Sequence, residues 1–216
     1  MELALAESQL MIRKAAREFF AAECPPSLVR AMERDDRGYP SHLWRQMAEM
    51  GWLGVTVPDA YGGQEASFTD LLILLQEMGR AALPSPFFST VVLGGSLILR
   101  AGSEAQKSAL LPKLSRGDLL LSLALGEPGV EEELDRLTTT AAREDGAYRL
   151  TGVKLFVPDA HVADFLIVVA QSAEGPACLL VKAASAGLST RLTDVAAIVS
   201  VAATSTGPSA GALVST

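Results

Sequence analysis

The spacing of apolar residues changes near Gly117, and this change limits the folds open to the chain. Before Gly117 the apolar residues recur at helical spacing, whereas from Leu119 onward they form short, strand-like runs. Hydrophobic residues make up 49% of the sequence and charged residues 20%, which is typical of a protein with a buried core. The pattern predicts an α+β fold, in which an N-terminal helical bundle precedes a partial antiparallel β-sandwich or barrel.

Breaks in the pattern divide the chain into three predicted parts. Residues 1–117 form the helical domain, and residues 118–193 form an incomplete middle β domain. Residues 194–216 form a tail that is rich in Ala, Ser and Thr and has no charge after Asp194. We interpret the tail as a non-native or degenerate end, and truncation, a frame-shift and natural degeneration all stay open.

Local signals place the elements within these parts. Ser67 and Asp70 form a capping-box pattern that predicts a helix through Arg80, and Ser85-Pro86 predicts the start of another. Because Val57 precedes a proline, residues 55–58 are expected to be extended. Asp-Gly at 145–146 predicts a hairpin turn. The predicted strands are 119–125, 137–143, 148–157, 165–170, 178–182 and 188–192.

Charge and composition argue against several classes of protein. A net charge of −7 disfavours a nucleic-acid partner, and no stretch is apolar enough to predict a membrane span. His42 and His161 have no Cys or His at ligand spacing, so no metal is expected. Cys24 and Cys178 are interpreted as reduced thiols of a cytoplasmic protein, since the N-terminus lacks the features of a signal peptide.

Four short motifs follow one another in a specific order. They are Gly-x-Leu-Gly-x-x-x-Pro…Tyr-Gly-Gly at 51–63, Gly-Ser-Glu-Ala-Gln-Lys at 102–107, Gly-Glu-Pro-Gly at 126–129, and Gly-x-Lys at the start of 152–160. In this order the chain resembles the acyl-CoA dehydrogenase family over about residues 5–192. The resemblance implies an oxidoreductase of fatty acid metabolism, a flavoprotein whose parent activity is FAD-dependent α,β-desaturation of an acyl-CoA thioester.

The resemblance also implies positions for the cofactor and the substrate. In the family, FAD lies between the helical and β domains, with the flavin ring against two strands. The cofactor-binding residues implied here are Leu123, Leu125, Gly126, Phe156, Val157 and Pro158. The residues implied to line the acyl cavity, all on one helix, are Phe87, Phe88, Val91 and Val92. Without the resemblance, alternating leucines and an apolar helix face are simply the pattern of a core.

Departures from the family pattern lower the expected affinity for FAD. Gly126 and Pro158 stand where the family usually has threonine, so two hydroxyl donors are lost. Three carboxylates at 131–133 lie where phosphate groups would pass. We therefore expect FAD binding by the isolated chain to be weak or absent. Asp159, His161 and Asp164 are interpreted as parts of a solvated turn and a strand entry.

No catalytic residue is assigned. The family carries its catalytic base on a C-terminal helical domain, and we expect that domain to be missing from a chain that ends at Thr216. Glu127 is interpreted as a loop carboxylate rather than the base. The isolated chain is expected to be an inactive fragment of a homo- or hetero-oligomeric enzyme. The alternatives are a non-catalytic partner subunit of a heteromeric dehydrogenase, and a flavin monooxygenase or oxidase with the family fold.

Overall fold

The computed structural model describes residues 4–129, 134–144, 147–192, 197–202, 204–205 and 211–213. These residues form two compact units, one of residues 4–85 with 115–117 and the other of residues 86–114 with the described part of 118–216. The second unit contains helices as well as strands, so these units do not correspond to the predicted domains. The predicted division at residues 117 and 193 stays a prediction.

The first unit contains four α-helices joined by short segments. Their bounds are Glu7–Glu23 (α1), Pro26–Met32 (α2), Ser41–Glu49 (α3) and Phe68–Arg80 (α4). Helix α1 buries Phe20, and α4 buries Leu71 and Leu74. The predicted capping box is present, since the Asp70 N–H donates to the Ser67 hydroxyl and the Ser67 N–H donates to the Asp70 carboxylate.

One local prediction for this unit is wrong. Residues 55–58 were expected to be extended, but a 3₁₀ helix at Trp52–Gly54 leads directly into a turn at Val55 and Thr56. The proline restricts only the residue immediately before it, so it does not impose an extended conformation on the earlier residues. The Val57 N–H donates instead to Gly54 O at 3.0 Å, which closes the turn.

The second unit begins with helices. A π-helix runs over Phe88–Gly95 and continues without a break into α5 at Ser96–Ala101. Helix α6 follows at Glu104–Ser115. The sequence predicted a single helix where the structure has the π-helix followed by α5. π-Helical turns are frequent at functional sites.

A mixed sheet forms the rest of the second unit. Its strands are Leu121–Ala124 (β1), Thr140–Glu144 (β2), Ala147–Val157 (β3), Phe165–Ser172 (β4), Gly175–Lys182 (β5), Leu188–Leu192 (β6), Ala197–Val201 (β7), Thr204–Ser205 (β8) and Gly211–Leu213 (β9). The main order is β6-β7-β3-β2-β4-β5-β9, with β1 beside β4 and β8 beside β3. A 3₁₀ helix at Leu134–Arg136 precedes β2.

The predicted β domain is confirmed, but it is not wholly antiparallel. Strand β1 runs parallel to β4, and Thr140 of β2 forms a parallel bridge with Gln171 of β4. A parallel pair needs a long connection, and here the β2–β3 hairpin lies between β1 and β4 in the chain. That hairpin pairs Glu144 with Ala147 as predicted, while its turn at 145–146 lies outside the described residues.

The core of the sheet includes part of the uncharged tail. Strand β7 pairs with both β3 and β6. Its residues Ala197, Val199 and Val201 are buried with Leu150 and Val157 of β3. Alternate burial along β7 is the pattern of a sheet with one face against a core. The tail therefore supplies a central strand, whatever the origin of its composition.

Candidate functional site

The ends of β1 and β3 meet, and this brings the two predicted cofactor-binding segments together. The Leu155 N–H donates to Gly126 O at 2.8 Å, just beyond the end of β1. A second contact joins the same two strands: the hydroxyl of Ser122 in β1 donates to Pro158 O, just after the end of β3. Segments that are distant in sequence thus form one local surface.

A buried ion pair between Lys154 and Glu127 joins β3 to the segment after β1. Lys154 Nζ lies 2.5 Å from Glu127 Oε1 and 3.1 Å from Leu125 O, and both side chains are fully buried. The Thr138 N–H and hydroxyl donate to Glu127 Oε2, and the Thr139 N–H donates to Oε1. Both carboxylate oxygens are therefore engaged, which leaves Glu127 unsuited to accept a substrate proton.

The environment of Glu127 keeps it ionised. Burial has the largest single effect and raises its pKa, but the hydrogen bonds from Lys154, Thr138 and Thr139 outweigh it and lower the pKa to about 2. Burial lowers the pKa of Lys154, and the Glu127 carboxylate opposes that change. We regard the pair as ionised, because each charge is matched by close, oppositely charged or polar partners.

Phe156 is the most exposed aromatic side chain near this crossing. A β-bulge interrupts the β3–β7 pairing between Lys154 and Val157, and Phe156 adopts φ +53° within it. Its side chain is 72% exposed. A bulky residue at positive φ is strained, and the bulge turns the ring away from the core. An exposed aromatic ring in a strained conformation is a candidate for ligand contact.

The other predicted flavin-facing residues differ in exposure. Leu123, Leu125 and Gly126 are half-buried, as is Pro158. Val157 is completely buried in the sheet core, so only its backbone could approach a cofactor. The predicted flavin-facing residues of β1 and β3 are therefore apolar, and Phe156 is the aromatic one among them.

The predicted acyl-lining residues lie on the π-helix or just before it. Phe87 and Val91 are buried and pack within the second unit, whereas Phe88 is 54% exposed and Val92 is half-buried. Only the latter two present substantial side-chain surface to a ligand. The helix lies close to β1: a Cβ on Gly94 would be only 2.5 Å from the Leu121 Cβ.

Thr90 fixes the π-helix to β1. Its hydroxyl accepts from the Leu121 N–H at 3.0 Å and donates to Leu121 O at 3.1 Å. Sequence reasoning missed this residue, since a threonine inside an apolar helix gives no signal of its partner. The contact places the helix with Phe88 beside the first of the two crossing strands.

The interpretation of 159–164 as a solvated turn and strand entry holds for Asp164, which is exposed just before β4, but not for Asp159, which is half-buried. Asp159 Oδ2 lies 2.5 Å from the Ser89 hydroxyl, and Asp164 Oδ2 accepts from the Leu120 N–H at 2.8 Å. His161 is exposed, as expected of a turn. The sequence showed no partner for Asp159, because Ser89 lies 70 residues earlier in the chain.

Other predictions concern residues outside this site. Glu131, Glu132 and Glu133 lie outside the described residues. Within the described ranges, no group of three or more His, Cys, Asp and Glu side chains could hold a metal ion. The helices that the structure describes include none long and apolar enough to cross a membrane.

The helical region, the mixed sheet and the crossing of β1 with β3 define the class of this protein. The family model described as the acyl-CoA dehydrogenase N-terminal domain matches residues 6–118, and the model for the middle domain matches residues 122–208. The chain belongs to the acyl-CoA dehydrogenase family, as its motifs predicted. The middle-domain match extends into the uncharged tail.

Similar proteins include named enzymes and solved structures. An acyl-CoA dehydrogenase of Bacillus subtilis is 33% identical over 169 residues, which are 77% of this chain and 44% of that protein. A 3-(aryl)acrylate reductase of Clostridium sporogenes is 32% identical, with the same coverage of both chains. The chain spans about half the length of the relatives it matches.

Solved structures confirm the fold. An acyl-CoA dehydrogenase of Bacillus anthracis, complexed with FAD, superposes with a TM-score of 0.86 at 25% identity, over 96% of this chain and 37% of that one. The ChsE4-ChsE5 complex of Mycobacterium tuberculosis gives a TM-score of 0.85 at 25% identity, over 98% of this chain and 58% of that one.

Proposed function

We propose that this chain supplies the flavin-facing and acyl-facing walls of an FAD-dependent oxidoreductase that desaturates an acyl-CoA between its α and β carbons. The observation that carries this proposal is the crossing of β1 and β3, where Leu155 donates to Gly126 and the next residue, Phe156, is exposed. The family membership and the FAD complex of the Bacillus anthracis relative support it. The two free thiols, Cys24 and Cys178, suit a cytoplasmic role in fatty acid metabolism.

The residues of the crossing fit a flavin ring. Phe156 offers an aromatic face, and Leu123 and Leu125 offer half-buried apolar surface that would exclude water. Bound FAD would supply the acceptor for the hydride that leaves the β carbon. Pro158 can offer no N–H donor, and its carbonyl already accepts from Ser122, so this segment would hold the ring by contact and shape rather than by hydrogen bonds.

The acyl group would lie against the exposed part of the π-helix. Phe88 and Val92 offer apolar surface, and Thr90 ties their helix to β1. Binding in this position would bring the acyl chain next to the flavin wall, because β1 carries Leu123 of that wall and is also bonded to the π-helix through Thr90. The buried Phe87 and Val91 would support the wall from behind without touching the substrate.

The base for α-proton removal is proposed to come from outside these residues. Glu127 is saturated by Lys154 and two threonines, and Asp159 is bonded to Ser89. A general base needs a free oxygen within hydrogen-bond reach of the proton. We therefore propose that the 216-residue chain alone leaves acyl-CoA unchanged and that a homo- or hetero-oligomer is the active form. Because Gly126 and Pro158 lack hydroxyl donors, the chain alone is also proposed to bind FAD weakly.

Flavin binding by Phe156 variants tests the proposal. FAD fluorescence is titrated with the wild-type chain, with Phe156→Ala, and with Val153→Ala as a matched control, because Val153 is an exposed apolar residue of the same strand. We expect Phe156→Ala to weaken binding about tenfold, as the loss of one aromatic contact predicts. The control should bind like the wild type. Equal affinity for all three proteins would refute the placement of the flavin.

A second candidate function is that of a non-catalytic subunit in a heteromeric dehydrogenase. It is favoured by the full engagement of Glu127 and by similarity to a protein of the ChsE4-ChsE5 complex. This candidate predicts that a separately produced partner chain restores desaturation and that Phe156→Ala in this chain leaves the restored rate unchanged, whereas the first predicts that Phe156→Ala lowers that rate. Mixing experiments with acyl-CoA distinguish the two.

A further inference from the structure

A cavity lies in the first unit, between the C-terminal halves of α1 and α4. Its volume is about 420 Å³, which is within the range of small-molecule sites. Pro25 and Pro26, which follow α1, close one end of it. None of the residues proposed to face the flavin or the acyl group lines this cavity, so the proposed function leaves it without a role.

The charged side chains that line this cavity are Arg17, Glu77 and Arg80. Glu77 is 1% exposed, and Arg17 donates to both of its oxygens, from Nη2 to Oε1 at 2.7 Å and from Nε to Oε2 at 3.0 Å. Arg80 Nε lies 3.5 Å from Oε2. The Arg17 guanidinium lowers the pKa of Glu77, while burial acts in the opposite direction, so Glu77 is ionised. The three side chains together carry one net positive charge.

The hydrogen-bond acceptors of the cavity are engaged, whereas donors remain. Both carboxylate oxygens of Glu77 accept from Arg17, and the backbone carbonyls of Phe20 and Glu77 accept from backbone N–H groups near the helix ends. A guanidinium has five N–H groups, and Arg17 gives two of them to Glu77. The other N–H groups of Arg17 and those of Arg80 can donate to a ligand. A ligand here must therefore bring acceptors, and the net charge favours an anion.

The rest of the cavity wall is apolar. Phe20 and Cys24 are buried, and burial raises the pKa of the Cys24 thiol, which therefore stays neutral. Pro25 and Pro26 offer ring surface and have no N–H group. The remaining wall residues are alanines, Ala21 and Ala81. A simple inorganic anion would contact the arginines alone, whereas an anion with an apolar chain would also cover this wall.

We propose that the first unit binds an amphiphilic carboxylate in this cavity, with the carboxylate on Arg17 and Arg80 and the apolar chain against Phe20 and the proline pair. The planar fork of a guanidinium matches the two oxygens of a carboxylate. The arginine side chains are 48% and 64% exposed, so they hold the head group on the solvent side, while the buried Phe20 lies at the base. Arg17 keeps its bonds to Glu77 in this arrangement, and no buried ion pair has to break.

Three small molecules separate the contributions of the head group and the chain. Octanoate, acetate and octylammonium are titrated into the wild-type chain at neutral pH and low salt, and heat is measured by calorimetry. We expect octanoate to bind, and acetate, which lacks the chain, to bind at least about tenfold more weakly. Octylammonium has the same chain with the opposite charge and should not bind. Added salt should weaken the binding of octanoate, because the head-group contacts are exposed.

Two pairs of variants test the position of the ligand. Arg80→Met removes one head-group donor and should weaken octanoate binding about fivefold, whereas Arg45→Met, an exposed position on α3 outside the cavity, should not. Ala21→Phe fills the cavity and should abolish binding. Ala22→Phe is its matched control, since Ala22 is the next residue of α1, is exposed, and does not line the cavity. The urea midpoint of each variant checks that it folds.

The two free cysteines locate the ligand in the wild-type chain without any substitution. Cys24 lines the cavity, and Cys178 lies on β5 of the second unit. Octanoate should slow the alkylation of Cys24 by iodoacetamide and leave that of Cys178 unchanged, as read by mass spectrometry of the two peptides. No binding of octanoate, equal binding of octylammonium, equal binding by Ala21→Phe and Ala22→Phe, or an unprotected Cys24 would each overturn the inference. None of these assays uses flavin or acyl-CoA, so they do not depend on the proposed function.

Discussion

Removal of the Lys154 charge is the sharpest test of how the β1–β3 crossing is held. Lys154→Met keeps the length and apolar volume of the side chain but leaves the Glu127 carboxylate buried without its counter-charge. Breaking a buried ion pair from one side costs about 3–5 kcal/mol. Thr138 and Thr139 still donate to Glu127 in this variant, so we expect the lower end of that range, about 3 kcal/mol at pH 7.

The pKa of Glu127 gives a similar magnitude for the combined effect of Lys154, Thr138 and Thr139. A fall from the ordinary value of 4.5 to about 2 in the folded state corresponds to about 3 kcal/mol of stabilisation. Because the pKa is lowered on folding, this stabilisation is complete above about pH 4.5 and is lost as the pH falls towards 2. Glu127→Gln should therefore make stability less dependent on pH within that window.

A double-mutant cycle measures the coupling itself. Urea unfolding is followed by circular dichroism of the sheet for the wild type, Lys154→Met, Glu127→Gln and the double variant. The amide of the Glu127→Gln variant retains an oxygen for the threonine donors, so the double variant should cost less than the sum of the single changes by about 1–3 kcal/mol. Additive costs, or a loss below about 1 kcal/mol for Lys154→Met, would show that the pair does not hold the crossing.

Three further changes test separate parts of the molecule. Ser67→Ala should destabilise α4 by about 1 kcal/mol in urea unfolding, because it removes the capping hydroxyl, and an unchanged midpoint would argue against the cap. Phe156→Gly should raise the free energy of unfolding by about 1 kcal/mol, because glycine relieves the strain of the positive φ, and it should weaken FAD binding. If the variant is instead less stable than the wild type, the ring packs on the protein itself. Acyl-CoA added to the wild-type chain with excess FAD should not bleach the flavin, and bleaching at an enzymatic rate would show that these residues include a base.

The sequence by itself determined the order and type of most elements. The change in apolar spacing near Gly117 marks where helices give way to strands, and the Ser67–Asp70 box marks the start of α4. The strands that flank the Asp-Gly pair form the predicted hairpin, with Glu144 opposite Ala147. These features are set by interactions between residues only a few positions apart, which a linear pattern records.

The tertiary structure alone decided which of these elements meet. The Glu127–Lys154 pair and the Ser89–Asp159 contact join residues 27 and 70 positions apart, and β1 pairs in parallel with the distant β4. Family resemblance named Gly126 and Phe156 as neighbours of a cofactor, but not the bulge that exposes the ring. Such contacts depend on how whole elements pack, and one sequence contains no local signal for the distance between two remote side chains.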